Sequence, residues 1–260
     1  MACYPLFACK HWECLAEDLN DLGDTLVSFS CVPDPLGNHN VELLQECFPD
    51  VCASFKTHFA IDLSKPLESY VSQHHQRNIK SAHSKLRIEF VETSETVLKE
   101  WVALYDVLID RHSITGIARF SEMSFEKLFD LKDLKIVHAI SDGETVGILL
   151  WITQDSNAYY HLGAYSAKGY ALNASFALFD FSIRLFQDNG LLFLNLGGGA
   201  GAGTVEDDGL ARFKRGWSSE TRTASFCGRI LNPVRYAELS AHLGPSATRY
   251  FPAYREGEFT

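Results

Sequence analysis

The chain has 260 residues, 46% hydrophobic and 22% charged, with a formal net charge of -10. That length buries a sizeable core as one large or two small domains, and the acidity counts against a dedicated nucleic-acid binder, so no DNA partner is expected. No apolar run reaches the roughly 18 residues of a membrane span, and the opening MACYPLFACKHWEC lacks the basic segment and long apolar run of a secretory signal; a cytoplasmic protein is expected.

The charge is unevenly spread. Residues 1–76 hold three Lys/Arg against eleven Asp/Glu, whereas Arg77 to Arg87 contains four cations and no acid, and Leu210 to Arg255 eight cations and two acids. The two basic segments are either solvated faces or converge on a phosphate-bearing substrate. Of the seven cysteines, six precede Ala53, and no CxxC pair occurs. Reduced thiols and no bound metal are therefore expected, with Cys9, His11 and Cys14 the only candidate ligand group.

In chain order, Trp12, Leu15 and Leu19 suggest a short amphipathic helix with Gly23 past its end. Thr25 to Cys31 reads as a strand, Pro33-Asp-Pro-Leu-Gly as a turn, Val41 to Phe48 as a short helix and Ser54 to Leu63 as a strand. Pro66 suits the first turn of a helix running to about Ser84, which carries His74, His75, Arg77, Asn78 and Lys80. Arg87 to Glu92 alternates as a strand does. After Ser94, the spacing of Trp101, Leu104, Tyr105 and Leu108 predicts a helix, and Ser121 caps another with Phe125, Leu128 and Phe129 inward. Three antiparallel strands follow, Leu134 to Ile140, Thr145 to Thr153 and Ala158 to Tyr165. A long helix from Asn173 to Gln187 ends at Asn189-Gly190.

The stretch from Leu191 to Trp217 organises the rest. Leu191 to Leu196 fits a strand buried on both faces of a partly parallel sheet. Gly197, Gly198, Gly199, Gly201 and Gly203 follow it and leave room for a ligand to approach the backbone. Asp207 or Asp208 can then cap a helix, Gly209 to Gly216, that carries Phe213 and Lys214. A buried strand thus delivers a glycine loop and a cation to the end of a sheet, where open α/β sheets place ligands. The alternative is a plain connection with a solvated lysine. A dinucleotide loop is rejected, because Glu206, Asp207 and Asp208 stand where a pyrophosphate would need a helix N-terminus. A last strand spans about Thr221 to Leu231.

From residue 87 the order is β, α, α, three β, α, β, α, β, the order of the acyl-CoA N-acyltransferase (GNAT) fold. Two segments carry a closer likeness. HFAIDLSKPLESYVSQHHQRNIKSA resembles the "IDL" strand and "RNI-x-x-A" helix of FemAB-like transferases, and LNLGGG followed by DDGLARFKRGW resembles their late "GL-x-x-FK-x-G-[FW]" motif. Arg77, Asn78, Lys80, Phe213, Lys214 and Gly216 carry it, over roughly residues 55–231.

The resemblance implies an α/β (α+β) fold, a GNAT-like mixed sheet flanked by helices. It implies a division into a reduced N-terminal GNAT-like subdomain, 1–76, and an acyltransferase domain, 77–260. In the GNAT fold the pyrophosphate of coenzyme A lies on [QR]-x-x-G-x-[GA]. The matching stretch here is Ser166-Ala-Lys168-Gly169-Tyr-Ala171, followed by Asn173, with serine for the leading cation and Lys168 to supply the charge; an ordinary strand-to-helix turn would look the same. Backbone N–H groups near Leu162 and Gly163 would polarise the acyl carbonyl, and either Tyr160 or His161 would relay the amine proton, since neighbours on a strand face opposite ways. Lys214 would clamp a phosphate or an oxyanion. Arg77, Asn78, Lys80, Gly198, Gly199 and Phe213 would line the substrate site.

The expected activity is N-acyl transfer from an acyl-CoA co-substrate to an amine of an amino-sugar or small metabolite, with cell-envelope polysaccharide synthesis as a setting. One alternative is aminoacyl transfer from charged tRNA to a peptidoglycan precursor, the only reading with a tRNA partner, although the long helical arm of such enzymes is not found. Another is a non-catalytic binding module. A homodimer is left open.

Overall fold

The computed structural model describes residues 6–199, 208–241 and 250–258. In chain order its elements begin with β1 (Leu6–Phe7), α1 (Leu15–Asn20), β2 (Ser28–Pro33), α2 (Val41–Cys47) and β3 (Val51–Asp62). They continue with α3 (Gln73–His83), β4 (Arg87–Val91), α4 (Glu95–His112), α5 (Glu122–Phe129), β5 (Leu134–Ser141), β6 (Glu144–Gln154) and β7 (Asn157–Tyr165). The remainder are α6 (Ala167–Ala171), α7 (Ala174–Asp188), β8 (Phe193–Gly197), α8 (Gly209–Arg215), β9 (Glu220–Ile230) and α9 (Pro233–Ser240). Contacts divide the chain into two units, one of His58–Thr221 and the other of Tyr4–Thr57 with Arg222–Thr260.

The expected boundary at 76/77 falls inside α3. The first 57 residues form no subdomain of their own, because they recruit the C-terminal part of the chain. β9 pairs antiparallel with β2, Cys31 opposite Cys227. From β9, Arg229 donates to the carbonyl of Ala16 in α1 at 2.9 Å and to that of Cys47 at 3.3 Å, the latter at the C-terminus of α2, where the helix leaves carbonyls for an outside donor. Trp12, Leu15, Leu19, Leu44, Cys47 and Phe48 bury the apolar stripes of these helices over the strands.

The larger unit is a mixed sheet in the order β3, β8, β7, β6, β5, β4. β4 to β7 form an antiparallel meander, and β8 runs parallel to β7 and antiparallel to β3. Val137, Ala139, Leu149, Trp151, Leu194 and Leu196 point to one face, against Phe179 and Ile183 of α7 and Trp217 after α8. Ile136, Ile148, Leu150, Leu162 and Ala164 point to the other, against Trp101, Leu104, Tyr105 and Leu108 of α4 and Phe125 of α5. Period-2 alternation in the strands and 3.6-period stripes in the helices thus specify a helix layer on each face. Ser121, expected as a cap, and Asp208, one of the two expected for α8, each accept a backbone N–H, as does Ser94 ahead of α4.

The helix expected from Pro66 to Ser84 is instead two pieces, a 3-10 turn at Leu67–Ser69 and α3. The break lies at Ser72. Its N–H donates to the Gly216 carbonyl at 3.0 Å and its side chain caps α3 by accepting from His75, so it cannot continue a helix from Pro66. β1, α6 and α9 carry no pattern that predicts them: the first has two residues, the second five, and α9 buries no residue.

Candidate active site

The site begins where two strands part. β7 and β8 pair through Asn157, Ala158 and Tyr159 against Phe193, Leu194 and Asn195, and the pairing among the described residues ends there, while β8 continues along β3 to Gly197 opposite Phe59. The apolar run Leu191 to Leu196 stops at Gly197, whose φ of 73° suits glycine. Asn195 holds this end: its Oδ1 accepts from the Gly197 N–H at 2.8 Å and lies 3.0 Å from Nδ1 of buried His58. A lone Asn in an otherwise apolar strand is the one local sign of this lock in the sequence. Gly201, Gly203, Glu206 and Asp207 lie outside the described residues, and Asp208 is the cap of α8.

α8 carries Lys214 inward. The side chain is 1% exposed, and its Nζ donates to the Gly198 carbonyl at 2.7 Å. The ammonium also faces the Tyr160 ring, 5.5 Å from its centroid. Gly199 belongs to the same turn, and a Cβ on it would meet a carboxylate oxygen of Asp208 at 2.5 Å. Gly198, Gly199, Lys214 and Tyr160 are therefore brought together.

A bulge separates the surroundings of Tyr160 and His161. Leu150 pairs with Leu162 and Trp151 with Tyr160, so His161 is an extra residue and the strand changes face there. Tyr160 packs on Trp151 and Phe179 in the α7 layer, whereas Leu162 and Ala164 turn to the α4 layer. Gly163 returns to the face of Tyr160: a Cβ on it would lie 2.8 Å from the Tyr160 hydroxyl and 2.9 Å from that of Tyr165. Burial raises the pKa of both phenols, with Tyr170 adding to each, so they stay protonated near neutrality. Burial also lowers the pKa of His161, so it is neutral there too.

A buried histidine supports α8 from below. His75 is 4% exposed and lies among the rings of Phe176, Phe213 and Trp217. Its Nε2 donates to the Phe213 carbonyl at 2.9 Å, and its Nδ1 then accepts from the Ser72 hydroxyl at 2.9 Å. Burial holds its pKa below the usual value, and the two bonds fix one neutral tautomer. A Cβ on Gly216 would stand 2.2 Å from the His75 ring, so the glycine of FKRGW makes room for the histidine that docks α3 on α8. The sequence places His75 on α3 but gives no sign of this role, because the contact joins residues 138 apart.

The remaining candidates stand elsewhere. Arg77 and Lys80 are exposed on α3, and Asn78 Nδ2 lies 3.0 Å from His74 Nε2, so only Phe213 of that substrate set belongs to the aromatic group around His75. Ser166 caps α6 by accepting from the Gly169 N–H at 3.1 Å, and the N–H groups of Ser166, Tyr170, Leu172 and Asn173 already donate to backbone carbonyls. Lys168 lies 2.8 Å from Asp142 and 3.9 Å from Glu144, and a Cβ on Gly169 would meet the Val146 carbonyl oxygen at 2.0 Å. Gly169 is needed for packing and two carboxylates sit beside Lys168, whereas the N–H groups of Ala167 and Lys168, in the first turn of α6, are left by the helix itself for an outside acceptor. The turn thus keeps two backbone donors and the glycine, while the charge of Lys168 is shared with Asp142 and Glu144.

Residues 71–215, more than half of the chain, match the family model described as an acetyltransferase (GNAT) domain. The chain belongs to this family. No curated protein sequence matches it. Among solved structures the GNAT fold seen here is similar to FemX, at 13% identity over 86% of this chain and 79% of that one, with a TM-score of 0.67. It is similar to the C-terminal domain of a putative lysylphosphatidylglycerol synthetase from Agrobacterium fabrum, at 16% identity over 76% and 67% with a TM-score of 0.56. A conserved protein of unknown function from Bacteroides thetaiotaomicron VPI-5482 has 10% identity over 84% and 74%, and also a TM-score of 0.56. At such identities the likeness is one of fold. Among the described residues no helix is long and apolar enough to cross a membrane, and no group of His, Cys, Asp and Glu is arranged to hold a metal.

Proposed function

We propose that this GNAT-family acyltransferase moves an acyl group onto an amine, with Lys214 beside the reacting carbonyl. The observation that carries the reading is the burial of the Lys214 ammonium at the point where β7 and β8 part. A buried cation stabilises developing negative charge far better than a solvated one, because the surroundings are already oriented and of low polarity. The acceptor amine attacks the carbonyl carbon, a C–N bond forms, and the oxyanion grows toward Lys214 and the backbone N–H groups near Gly163. Collapse breaks the bond to the leaving group, which takes the proton that the amine loses. Tyr160 and Tyr165, neutral phenols over Gly163, are placed to pass that proton on. Arg77, Lys80 and Asn78 bind the acceptor only if it extends along α3.

Of the two donors the family resemblance allows, the serine in place of the leading cation and the pairing of Lys168 with Asp142 and Glu144 favour an aminoacyl ester over an acyl-CoA thioester. The acceptor class is an amine borne by a sugar-linked or peptide-linked precursor. Two assays separate the donors. With charged tRNA and a lipid-free cell-wall precursor, radiolabel should pass to the precursor, whereas a panel of acyl-CoA thioesters should leave the melting midpoint unmoved. A concentration-dependent rise in midpoint with any thioester would return the donor to coenzyme A.

A further inference from the structure

The smaller unit gathers cysteines that the sequence scatters. Cys31 on β2 and Cys227 on β9 are paired residues of adjacent antiparallel strands, so their side chains share a face. Cys52 on β3 approaches Cys227 from the far side, with the two sulfurs 4.0 Å apart. Cys47, at the end of α2, and Cys9 pack into the same cluster. Five of the seven cysteines therefore meet in one small core, although their positions run from 9 to 227.

Within this group the pair Cys52 and Cys227 has a division of labour. Cys227 is fully buried, and burial, with Cys52, Cys31 and Cys47 nearby, raises its pKa, so it rests as a thiol that solutes do not reach. Cys52 is half-buried and open to a small oxidant. The sulfurs, 4.0 Å apart, stand about 2 Å beyond the roughly 2.05 Å of a disulfide, and they lie on strands that are neighbours in the sheet.

We propose that Cys52 and Cys227 form an oxidisable dithiol that a peroxide converts reversibly to a disulfide. The Cys52 thiol attacks one peroxide oxygen, giving sulfenic acid and one water as the O–O bond breaks. The Cys227 sulfur then attacks the sulfenic sulfur, the S–S bond forms, and the hydroxyl leaves with the Cys227 proton as a second water. Two thiols are oxidised and one peroxide is reduced to two waters. The bond would span 175 positions and close a loop containing all of His58–Thr221, the unit that holds Lys214. Oxidation would therefore tie the entry and exit of that unit and restrict its unfolded state.

The test is peptide mapping of the reduced full-length chain before and after titration with hydrogen peroxide. The expected result is a Cys52–Cys227 linked peptide, loss of two titratable thiols, a higher melting midpoint, and reversal of all three by dithiothreitol. Cys52→Ser and Cys227→Ser should each abolish the linked peptide, and Cys14→Ser, at an exposed cysteine, should leave it intact. If Cys227→Ser does not fold, the half-buried Cys52→Ser decides alone. Sulfinic acid at Cys52 without a cross-link, a cross-link from Cys227 to Cys31, or no loss of thiols in folded protein would each overturn the proposal.

Discussion

Two lysines in the larger unit show how position decides what a charge is for. Lys168 lies at the surface of the Ser166–Ala171 turn and is held by Asp142, in the turn between β5 and β6, and by Glu144 at the start of β6. Its pKa is raised, first by the hydrogen bond to Asp142, and it has the geometry of a surface ion pair, which contributes little to stability. Lys214 is 1% exposed, donates to a carbonyl at 2.7 Å and stands under a tyrosine ring. Burying an ammonium is costly, and α8, the glycine turn and the His75 support all serve to keep it there. Both lysines were candidates in the sequence. Only one lies where the sheet parts.

Replacing Lys214 gives the largest expected effect. Lys214→Met keeps the stem and removes the charge; turnover should fall by on the order of 10²-fold or more, as when an oriented oxyanion donor is lost. Stability should change by only about 1–2 kcal/mol for the bond to Gly198. Steady-state kinetics with urea melts check both, and equal turnover in mutant and wild type would make the buried lysine structural.

The support is tested next. Gly216→Ala forces a methyl to within 2.2 Å of the His75 ring, and Gly169→Ala one to within 2.0 Å of the Val146 carbonyl. Each should destabilise the fold by about 1–3 kcal/mol or more, the range for overpacking. Gly216→Ala should also lower turnover, because it shifts the helix that carries Lys214, whereas an effect of Gly169→Ala confined to stability would agree with a structural turn. Urea midpoints and activity of the folded fraction separate the two.

A smaller effect concerns pH. Burial puts the folded-state pKa of His75 below its usual 6.5, and that of His138, buried on β5 beside Glu100, shifts the same way. The unfolded chain therefore takes up these protons first. Their contribution to stability is complete above about pH 6.5 and is lost as pH falls below it, at up to roughly 1.4 kcal/mol per pH unit for one proton. His75→Gln should flatten the fall measured between pH 7 and pH 5; an unchanged slope would remove His75 from the account.

The smallest effect is expected at Lys168. Lys168→Met should cost under about 1 kcal/mol and leave the Michaelis constant for the donor unchanged. A several-fold rise in that constant would show that the turn holds the donor and would erase the contrast between the lysines.

The sequence by itself determined the elements whose signals are local. Periodicity located α4, α5, α7 and the meander of β5, β6 and β7, and the cap at Ser121 and that of α8, narrowed to Asp207 or Asp208, were legible because a cap bonds within three residues of itself. The late motif pointed to Lys214 and Gly216 together. Only the tertiary structure decided what those residues touch. It placed His75 against Gly216, put a one-residue bulge at His161 beside Tyr160, paired Lys168 with Asp142, and divided the chain so that residues before 58 join those after 221. Each of these depends on contacts between residues far apart in the chain, and hydrophobic period, capping and turn chemistry carry no record of them.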